Sequence, residues 1–282
     1  DSAAGFNGEN SDDVFRAAYL SSSLQTGLVN SLDEAIIAFR TIDATGAVKR
    51  GEIPYDFYRK RMSVVVEESG AVRLITKGAL KQVLSVCASA RLDNADRALD
   101  EATLAQIQQR FSDWSGQGFR VLGVAEKTVA VKDPKAYAVS DESEMSFLGF
   151  LLFFDPPKAD AAQTIADLKN MGVQLRIITG DNALVAKHTG CAVGLCTDDI
   201  LTGAELQSMD EATAQKAIEA ATLYAEMDPS QKERIILALK KNQHVVGYMG
   251  DGINDAPALH AADVSISVNT AVDIAKEAAD FV

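Results

Sequence analysis

The second half of the chain alternates short apolar segments with amphipathic ones, and this alternation constrains the fold more than any other feature. The apolar segments are as long as strands, whereas the segments between them carry apolar residues at helical spacing. Such an alternation is typical of a parallel sheet covered by helices on both faces. The sequence therefore predicts a Rossmann-like α/β domain. The predicted strands are residues 147–154, 173–179, 223–227, 244–249 and 264–268.

The first half has a different pattern. Residues 62–67 and 72–76 are rich in β-branched and apolar residues, and Ser69-Gly70 lies between them. Two such runs around a glycine turn predict an antiparallel hairpin. Helical patterns precede and follow the hairpin. This half is therefore predicted to be an α+β domain with an antiparallel sheet.

The length supports two domains, because 282 residues exceed the roughly 100–200 residues of a typical domain. Thr128–Ser143 contains Asp133-Pro134 and several polar residues, which is typical of a linker. We predict domains at residues 1–140 and 141–282.

Charge and hydropathy exclude several classes of function. The chain has 27 basic and 40 acidic residues, a formal net charge of −13, which repels phosphate backbones. We therefore expect no nucleic-acid partner. The longest apolar run, residues 147–154, is far shorter than the roughly 20 residues that cross a bilayer, so no direct membrane insertion is expected. The cysteines, Cys87, Cys191 and Cys196, are expected to be reduced, buried residues.

Polar residues follow several predicted strands, at the edge where parallel sheets bind ligands. Thr179-Gly180-Asp181 follows one strand and precedes a helix at Asn182, so a hydroxyl and free N–H groups face a possible phosphoryl oxygen. The same residues are also typical of a simple helix cap. Lys232, at the start of a later helix, is either a second phosphoryl-binding group or a solvated surface lysine.

The loop of residues 250–257 (GDGINDAP) is the least ambiguous signal. Its two glycines allow the backbone to approach a ligand closely. Asp251 and Asp255 supply the carboxylate oxygens that Mg²⁺ prefers, and Mg²⁺ commonly binds through one or two carboxylates plus substrate phosphate. Packing does not explain a loop so rich in acid and amide side chains.

Together, three segments resemble the haloacid dehalogenase superfamily in the version found in P-type cation-transporting ATPases. They are residues 154–157 (FDPP), 179–182 (TGDN) and 250–259 (GDGINDAPAL), in the family's order. The resemblance implies a haloacid-dehalogenase-type phosphorylation domain that acts with Mg²⁺. One departure is Glu226, where many family members carry an arginine. The implied catalytic residues are Thr179, Gly180, Asp181, Lys232, Asn254 and Asp255, and the implied metal ligands are Asp251 and Asp255.

The first half resembles the same family's nucleotide-binding domain. Residues 53–63 (IPYDFYRKRMS) look like its adenosine-binding edge, and residues 77–79 (KGA) look like its lysine-glycine-alanine motif. An aromatic face and a cation suit a purine ring, and an arginine suits phosphate. Taken alone, these residues are equally typical of a core aromatic, a first-turn acid and surface charges. The nucleotide-binding positions that the resemblance implies are Asp33, Tyr55, Phe57, Lys77, Gly78 and Arg120.

The family's phosphorylated aspartate lies in an Asp-Lys-Thr-Gly-Thr motif, which this sequence does not contain. The first strand of the phosphorylation domain is expected to be missing with it, which leaves an open sheet edge and a weak metal site. We therefore expect the chain to bind ATP without turnover. The chain is expected to be part of a membrane pump, on the cytoplasmic side, with the membrane and actuator domains as partners.

Residues 147–150, 155–158 and 244–247 look most similar to the bacterial magnesium-transporting branch of the family. Two other functions remain open. A free-standing phosphatase of the same superfamily would need its own nucleophile near the start of the chain. A nucleotide-binding module without catalysis would differ in having no membrane-bound parent.

Overall fold

The computed structural model of the protein describes residues 2–26, 30–56, 58–92 and 95–282. The chain folds into two compact units, Asp1–Asp155 and Pro156–Val282, each with most of its contacts within itself. Among the described residues, none of the helices has the length and apolar character needed to span a bilayer.

The first unit combines helices with one extended sheet. Helix α1 begins after Ser11, whose side-chain oxygen accepts the N–H of Val14, and α2 begins after Asn30, whose side chain accepts two backbone N–H groups. The strands are β1 (Ser2–Gly5), β2 (Val48–Asp56), β3 (Arg61–Glu68), β4 (Ala71–Ala79), β5 (Cys87–Leu92), β6 (Ala95–Ala98), β7 (Arg120–Thr128) and β8 (Met145–Phe153). The helices are α1 (Asp12–Leu24), α2 (Ser31–Phe39), α3 (Leu80–Leu84) and α4 (Glu101–Gly116).

The described strands of this unit form one sheet in the order β2-β3-β4-β7-β8-β5-β6, with β1 also paired to β8. The predicted hairpin is confirmed as the antiparallel pair β3 and β4. One face of the sheet packs on α1 and α2 through residues such as Met62 and Val64. The other face packs on α3 and α4 through residues such as Leu80 and Ile107. Both faces are therefore covered, which explains why β3 is buried over most of its length.

Strand β8 differs from the sequence-based prediction, which assigned residues 147–154 to the second domain. All nine of its residues are buried, and it pairs with β7 on one edge and with β1 and β5 on the other. The units consequently divide between Asp155 and Pro156 rather than near residue 140. An apolar run shows that a strand is buried but does not show which sheet it joins, since that depends on its hydrogen-bonding neighbours.

The second unit contains short parallel strands flanked by helices. The strands are β9 (Ile177–Ile178), β10 (Ile200–Thr202), β11 (Leu223–Ala225), β12 (Gly247–Met249) and β13 (Val264–Ile266). The helices are α5 (Ala161–Asn170), α6 (Ala183–Ala192), α7 (Gly203–Ser208), α8 (Glu211–Ala220), α9 (Pro229–Lys241), α10 (Ala256–Ala261) and α11 (Asp273–Glu277). Their alternation with parallel pairs confirms the predicted α/β class for this unit.

The strands of the second unit lie in two separate sheets. Strands β10, β11 and β9 form one, in that order, and β12 and β13 form the other. Within the described residues, β9 and β12 are thus each paired along one edge only. They are also shorter than predicted: residues 173–179 give a strand of two residues, and residues 244–249 give one of three. A strand is defined by its hydrogen bonds to neighbours, so an apolar segment without a neighbour is not assigned as one.

The prediction for the cysteines is wrong for two of them. Cys191, at the end of α6, and Cys196, in the loop that follows, form a disulfide. Cys87 is a half-buried free thiol, and burial raises its pKa to about 12. A spacing of five residues did not indicate the bond, because pairing depends on how the chain turns after α6.

Gly149 allows β1 and β8 to pack closely. A Cβ atom at this position would lie 2.1 Å from the carbonyl oxygen of Ala4 and 2.8 Å from Val14. We expect Gly149→Ala to lower the free energy of unfolding by about 1–3 kcal/mol or more, because the clash is with backbone. Urea unfolding followed by circular dichroism measures this loss. Gly116→Ala, where the added methyl group meets open space, is the control and should change stability little.

Candidate functional site

Several of the predicted nucleotide-binding residues meet at one end of the first unit's sheet. Tyr55 lies near the end of β2, Lys77 and Gly78 lie near the end of β4, and Arg120 begins β7. The antiparallel register pairs Gly78 with Gly123, close to Arg120. Burial raises the pKa of Tyr55, and the nearby charge of Arg120 opposes that shift. Tyr55 and Arg120 thus lie at the same end of the sheet, and the charge of Arg120 acts on the Tyr55 hydroxyl.

Lys77 and Asp33 form a buried ion pair. The Lys77 Nζ donates hydrogen bonds to the Asp33 carboxylate and, over 2.5 Å, to the Ser22 hydroxyl. Ser22 and Gln25 donate in turn to the two oxygens of Asp33, at 2.8 and 2.6 Å. Burial lowers the pKa of Lys77, and the charge of Asp33 opposes that effect. The alternative interpretation of Lys77 as a solvated surface charge is therefore wrong.

Gly78 is required by close packing of the backbone. A Cβ atom there would lie 2.4 Å from the carbonyl oxygen of Lys60 and 2.6 Å from the Cα of Arg61. The next residue, Ala79, donates its N–H to the same Lys60 carbonyl at 2.9 Å. The Lys77-Gly78-Ala79 motif is thus fastened to the connection between β2 and β3. Phe57, the other predicted stacking residue, lies outside the described residues.

Sequence reasoning missed Glu142. It was assigned to the linker, yet its side chain is fully buried and accepts hydrogen bonds from Arg59, Arg61 and Ser63. The only signal was the acidic pair Asp141-Glu142 before an apolar strand, which is also typical of a solvated loop.

In the second unit the structure brings Lys232 and Asp255 together. Lys232 donates to Asp255 Oδ1 over 2.7 Å, and the Tyr248 hydroxyl donates to the same oxygen over 2.8 Å. The N–H of Gly252 donates to Oδ2 over 3.0 Å. Burial by itself would raise the pKa of Asp255, but the hydrogen bond and charge of Lys232 bring the pKa below its ordinary value.

The Thr179-Gly180-Asp181 loop follows β9. Asn182 caps α6 by accepting the N–H groups of Leu184 and Val185, and the Thr179 hydroxyl accepts the N–H of Asp181 at 3.1 Å. The helix-cap interpretation is thereby confirmed for Asn182. It does not exclude a phosphoryl site, since the cap leaves Gly180 exposed at the end of the strand.

Two backbone hydrogen bonds fasten this loop to the end of β11. Met227 donates its N–H to the Thr179 carbonyl, and Glu226 donates its N–H to the Asp181 carbonyl. Glu226 has a φ of +60°, an uncommon conformation for a residue other than glycine. The ends of β9 and β11 therefore lie side by side, as expected for parallel strands.

The predicted metal ligands differ in availability. Both oxygens of Asp255 already accept hydrogen bonds, whereas Asp251 is exposed. Asn254, in the same loop, is half-buried. No group of three or more histidine, cysteine, aspartate or glutamate side chains is arranged around a possible metal position in the part of the chain that the structure describes. These residues fit Mg²⁺ only in part: Asp251 is the accessible carboxylate, and phosphate and water would have to supply the other ligands.

The Lys232–Asp255 pair makes a pH-dependent contribution to stability. Because the pKa of Asp255 is lowered on folding, this contribution is present above the ordinary value of 3.8 and is lost as the pH falls through the folded-state pKa. We expect Asp255→Asn to reduce the free energy of unfolding by about 1.5–3 kcal/mol at pH 7. Urea unfolding from pH 7 to pH 3 should show the difference from the wild type shrinking below pH 3.8.

The matched control is Asp273→Asn, which removes a carboxylate that is 91% exposed in the same unit. It should have little effect at any pH. An equal loss for Asp255→Asn at pH 7 and pH 3 would contradict the assigned role of the ionised carboxylate.

The sequence is similar to a known family and to several known proteins. Residues 10–160 match the family described as P-type ATPase, cytoplasmic domain N. A magnesium-transporting ATPase of Salmonella typhimurium is 41% identical over 98% of this chain, and one of Escherichia coli is 40% identical over 98%. A calcium-transporting ATPase of Listeria monocytogenes is 32% identical over 83%.

The chain spans 31% of the length of the two magnesium-transporting relatives and 27% of the calcium-transporting one. The family match covers more than half of the chain and includes Asp33, Tyr55, Lys77 and Arg120. Residues that meet at the end of the first unit's sheet thus fall inside the matched region, and the chain belongs to the P-type cation-transporting ATPase family.

Proposed function

We propose that the first unit binds ATP and that the second takes part in moving its γ-phosphoryl group, as parts of a pump that forms an aspartyl-phosphate and transports magnesium. The observation that carries this proposal is the meeting of Tyr55, Arg120 and the Lys77-Gly78 motif at one end of the first unit's sheet. The magnesium-transporting relatives, which align over 98% of the chain, support the transported ion and a cytoplasmic position.

The proposed nucleotide site divides recognition between ring and phosphate. Tyr55 is 50% exposed, and an aromatic ring with this exposure is suited to stack on adenine. Arg120, exposed at the start of β7, is suited to pair with phosphate oxygens. Lys77 and Asp33 are buried together, so their contribution is a fixed polar wall rather than two independent charges.

The second unit is suited to phosphoryl chemistry. Lys232 lies in the first turn of α9 with its ammonium directed to the Asp255 carboxylate, and Thr179 directly follows strand β9. In the proposed reaction these groups stabilise negative charge on the transferring phosphoryl group, and Asp251 holds Mg²⁺, which would neutralise phosphate charge. The acceptor aspartate belongs to a part of the parent pump that this sequence does not contain.

Strand pairing supports a missing partner in the second unit. Within the described residues, β9 and β12 each lack a neighbour on one edge. Val245, just before β12, is 87% exposed, and Met249, at its end, is 65% exposed. Apolar side chains beside an unpaired strand edge are typical of a surface that another strand covers. We propose that a strand of the parent pump pairs there.

Replacement of Tyr55 tests the nucleotide site. We expect Tyr55→Ala to weaken ATP binding by about tenfold or more, because stacking of a base on an aromatic ring contributes about 1–3 kcal/mol. Isothermal titration calorimetry with the 282-residue chain measures the dissociation constant, and the same preparation should release no inorganic phosphate.

Tyr58→Ala is the matched control, because this tyrosine lies in the turn directly after the strand that carries Tyr55 and is 97% exposed. It should bind ATP as the wild type does. Equal affinity of the Tyr55→Ala and wild-type chains would remove the assignment of the site, and phosphorylation of any aspartate by ATP would contradict the expected lack of turnover.

Hydrogen exchange tests the proposed strand. In this chain we expect the amides of β9 and β12 to exchange faster than those of β11, which is paired on both edges. In a longer protein that includes the upstream phosphorylation motif, exchange of β9 and β12 should slow by at least tenfold, while β11 changes less. If the amides of β9 and β12 exchange equally fast in the longer protein, no strand pairs with their open edges.

A further inference from the structure

Glu142 is a buried carboxylate that joins two arginines. Its side chain is fully buried, and Arg59 Nη1 donates to both of its oxygens at 2.8 Å. Arg61 Nε donates to Oε2 at 2.8 Å, and the Ser63 hydroxyl donates to Oε1 at 2.7 Å. Every oxygen of this carboxylate therefore accepts hydrogen bonds from the first residues of β3 or from the turn that precedes them.

Arg59 connects this carboxylate to the turn between β2 and β3. Its Nη2 donates to the Pro54 carbonyl at 2.5 Å, and its Nε donates to the Asp56 carboxylate. The other oxygen of Asp56 accepts the backbone N–H groups of Tyr58 and Arg59, each at 2.8 Å. Both residues that flank Tyr55 are thus bound to Arg59, which is itself bound to Glu142.

Arg61 connects the same carboxylate to the Lys77-Gly78-Ala79 motif. It pairs with Gly78 across β3 and β4, and a Cβ atom on Gly78 would lie 2.6 Å from the Cβ of Arg61. Arg61 also donates to the carbonyl of Gln82 at 3.1 Å. Arg61 is therefore held against the Lys77-Gly78-Ala79 motif on one side and Glu142 on the other.

Charge makes this arrangement dependent on Glu142. The two guanidinium groups are largely buried and share one carboxylate, so its removal would leave two neighbouring positive charges without a common counter-charge. Their repulsion would move Arg59, and the turn would move with it because Pro54 and Asp56 are bound to Arg59.

We propose that Glu142 is a positioning residue for nucleotide binding, which fixes the turn that presents Tyr55 without itself touching the nucleotide. This inference rests on the proposed ATP site. It assigns a function to a segment that the sequence pattern indicated to be a linker.

The chain contains a matched control for a purely structural carboxylate. Glu126 on β7 is also buried and also binds two arginines, Arg73 at 3.2 Å and Arg91 at 2.7 Å. It pairs with Ile75 and Ser146, six residues along β7 from Arg120. The Glu126→Gln variant should lose stability for the same reason as Glu142→Gln but leave the nucleotide turn in place.

The experiment compares ATP dissociation constants by isothermal titration calorimetry, with folding checked by circular dichroism. We expect Glu142→Gln to weaken ATP binding at least tenfold and Glu126→Gln to change it less than twofold. In a Tyr55→Ala background, Glu142→Gln should add less than a further twofold loss, because its effect passes through Tyr55. A merely structural role would give the same additional loss in either background.

If Glu142→Gln does not fold, the ATP dissociation constant of Glu142→Asp is measured instead. This variant keeps the charge but has a side chain one methylene shorter, and we expect it to bind ATP at least threefold more weakly. The assignment of Glu142 is overturned if the wild type binds ATP and the folded Glu142 variant binds it equally well. It is also overturned if the losses of affinity from the Glu142 variant and from Tyr55→Ala simply add in the double variant. A wild-type chain that binds no ATP overturns the proposed function itself, and the assignment of Glu142 with it.

Discussion

A buried strand has to pair the backbone groups along both of its edges, and the architecture of this chain follows from where that pairing is available. Strand β8 is buried along its whole length and finds partners in β7, β1 and β5, so it belongs to the first unit. In the sheet, β8 lies between strands β2, β3, β4 and β7, some of which carry the proposed nucleotide contacts, and the remaining strands. Strands β9 and β12 have a described partner on one side only, and the apolar residues beside β12 remain exposed. Among the described residues β8 is thus paired on both edges, whereas β9 and β12 each keep an unpaired edge, at which we propose that another strand pairs.

Buried ion pairs lie in the regions of both units that we propose to be functional. Lys77 with Asp33 and Arg59 with Glu142 lie at the end of the first unit's sheet, and Lys232 with Asp255 lies at the strand ends of the second. Each pair is expensive to bury and is accompanied by further hydrogen bonds that satisfy the remaining oxygens. Such networks fix side-chain positions better than apolar packing does. They are therefore suited to hold a binding surface in shape before the ligand arrives.

The two sites use these fixed charges differently. In the first unit the charges of the two pairs are buried, whereas Tyr55 and Arg120, which are proposed to touch the nucleotide, are the more exposed residues. In the second unit Asp255 directs Lys232, while Asp251 is exposed beside it in the loop. The sequence implied that both aspartates are metal ligands, and in the structure the two differ in burial and in hydrogen bonding.

Much of this was available from the sequence, and the remainder depended on tertiary contacts. The hairpin of β3 and β4 follows from local composition and a glycine turn, and the α/β alternation after Pro156 follows from hydrophobic periodicity, so both were predicted. The family resemblance rested on short contiguous motifs, which folding does not rearrange. The sheet to which β8 belongs, the disulfide of Cys191 with Cys196, the burial of Lys77 against Asp33 and the buried position of Glu142 all join residues that are separated along the chain or by a turn. Local pattern carries no information about such partners, because hydrogen-bonding neighbours and counter-charges are chosen only when the sheet assembles.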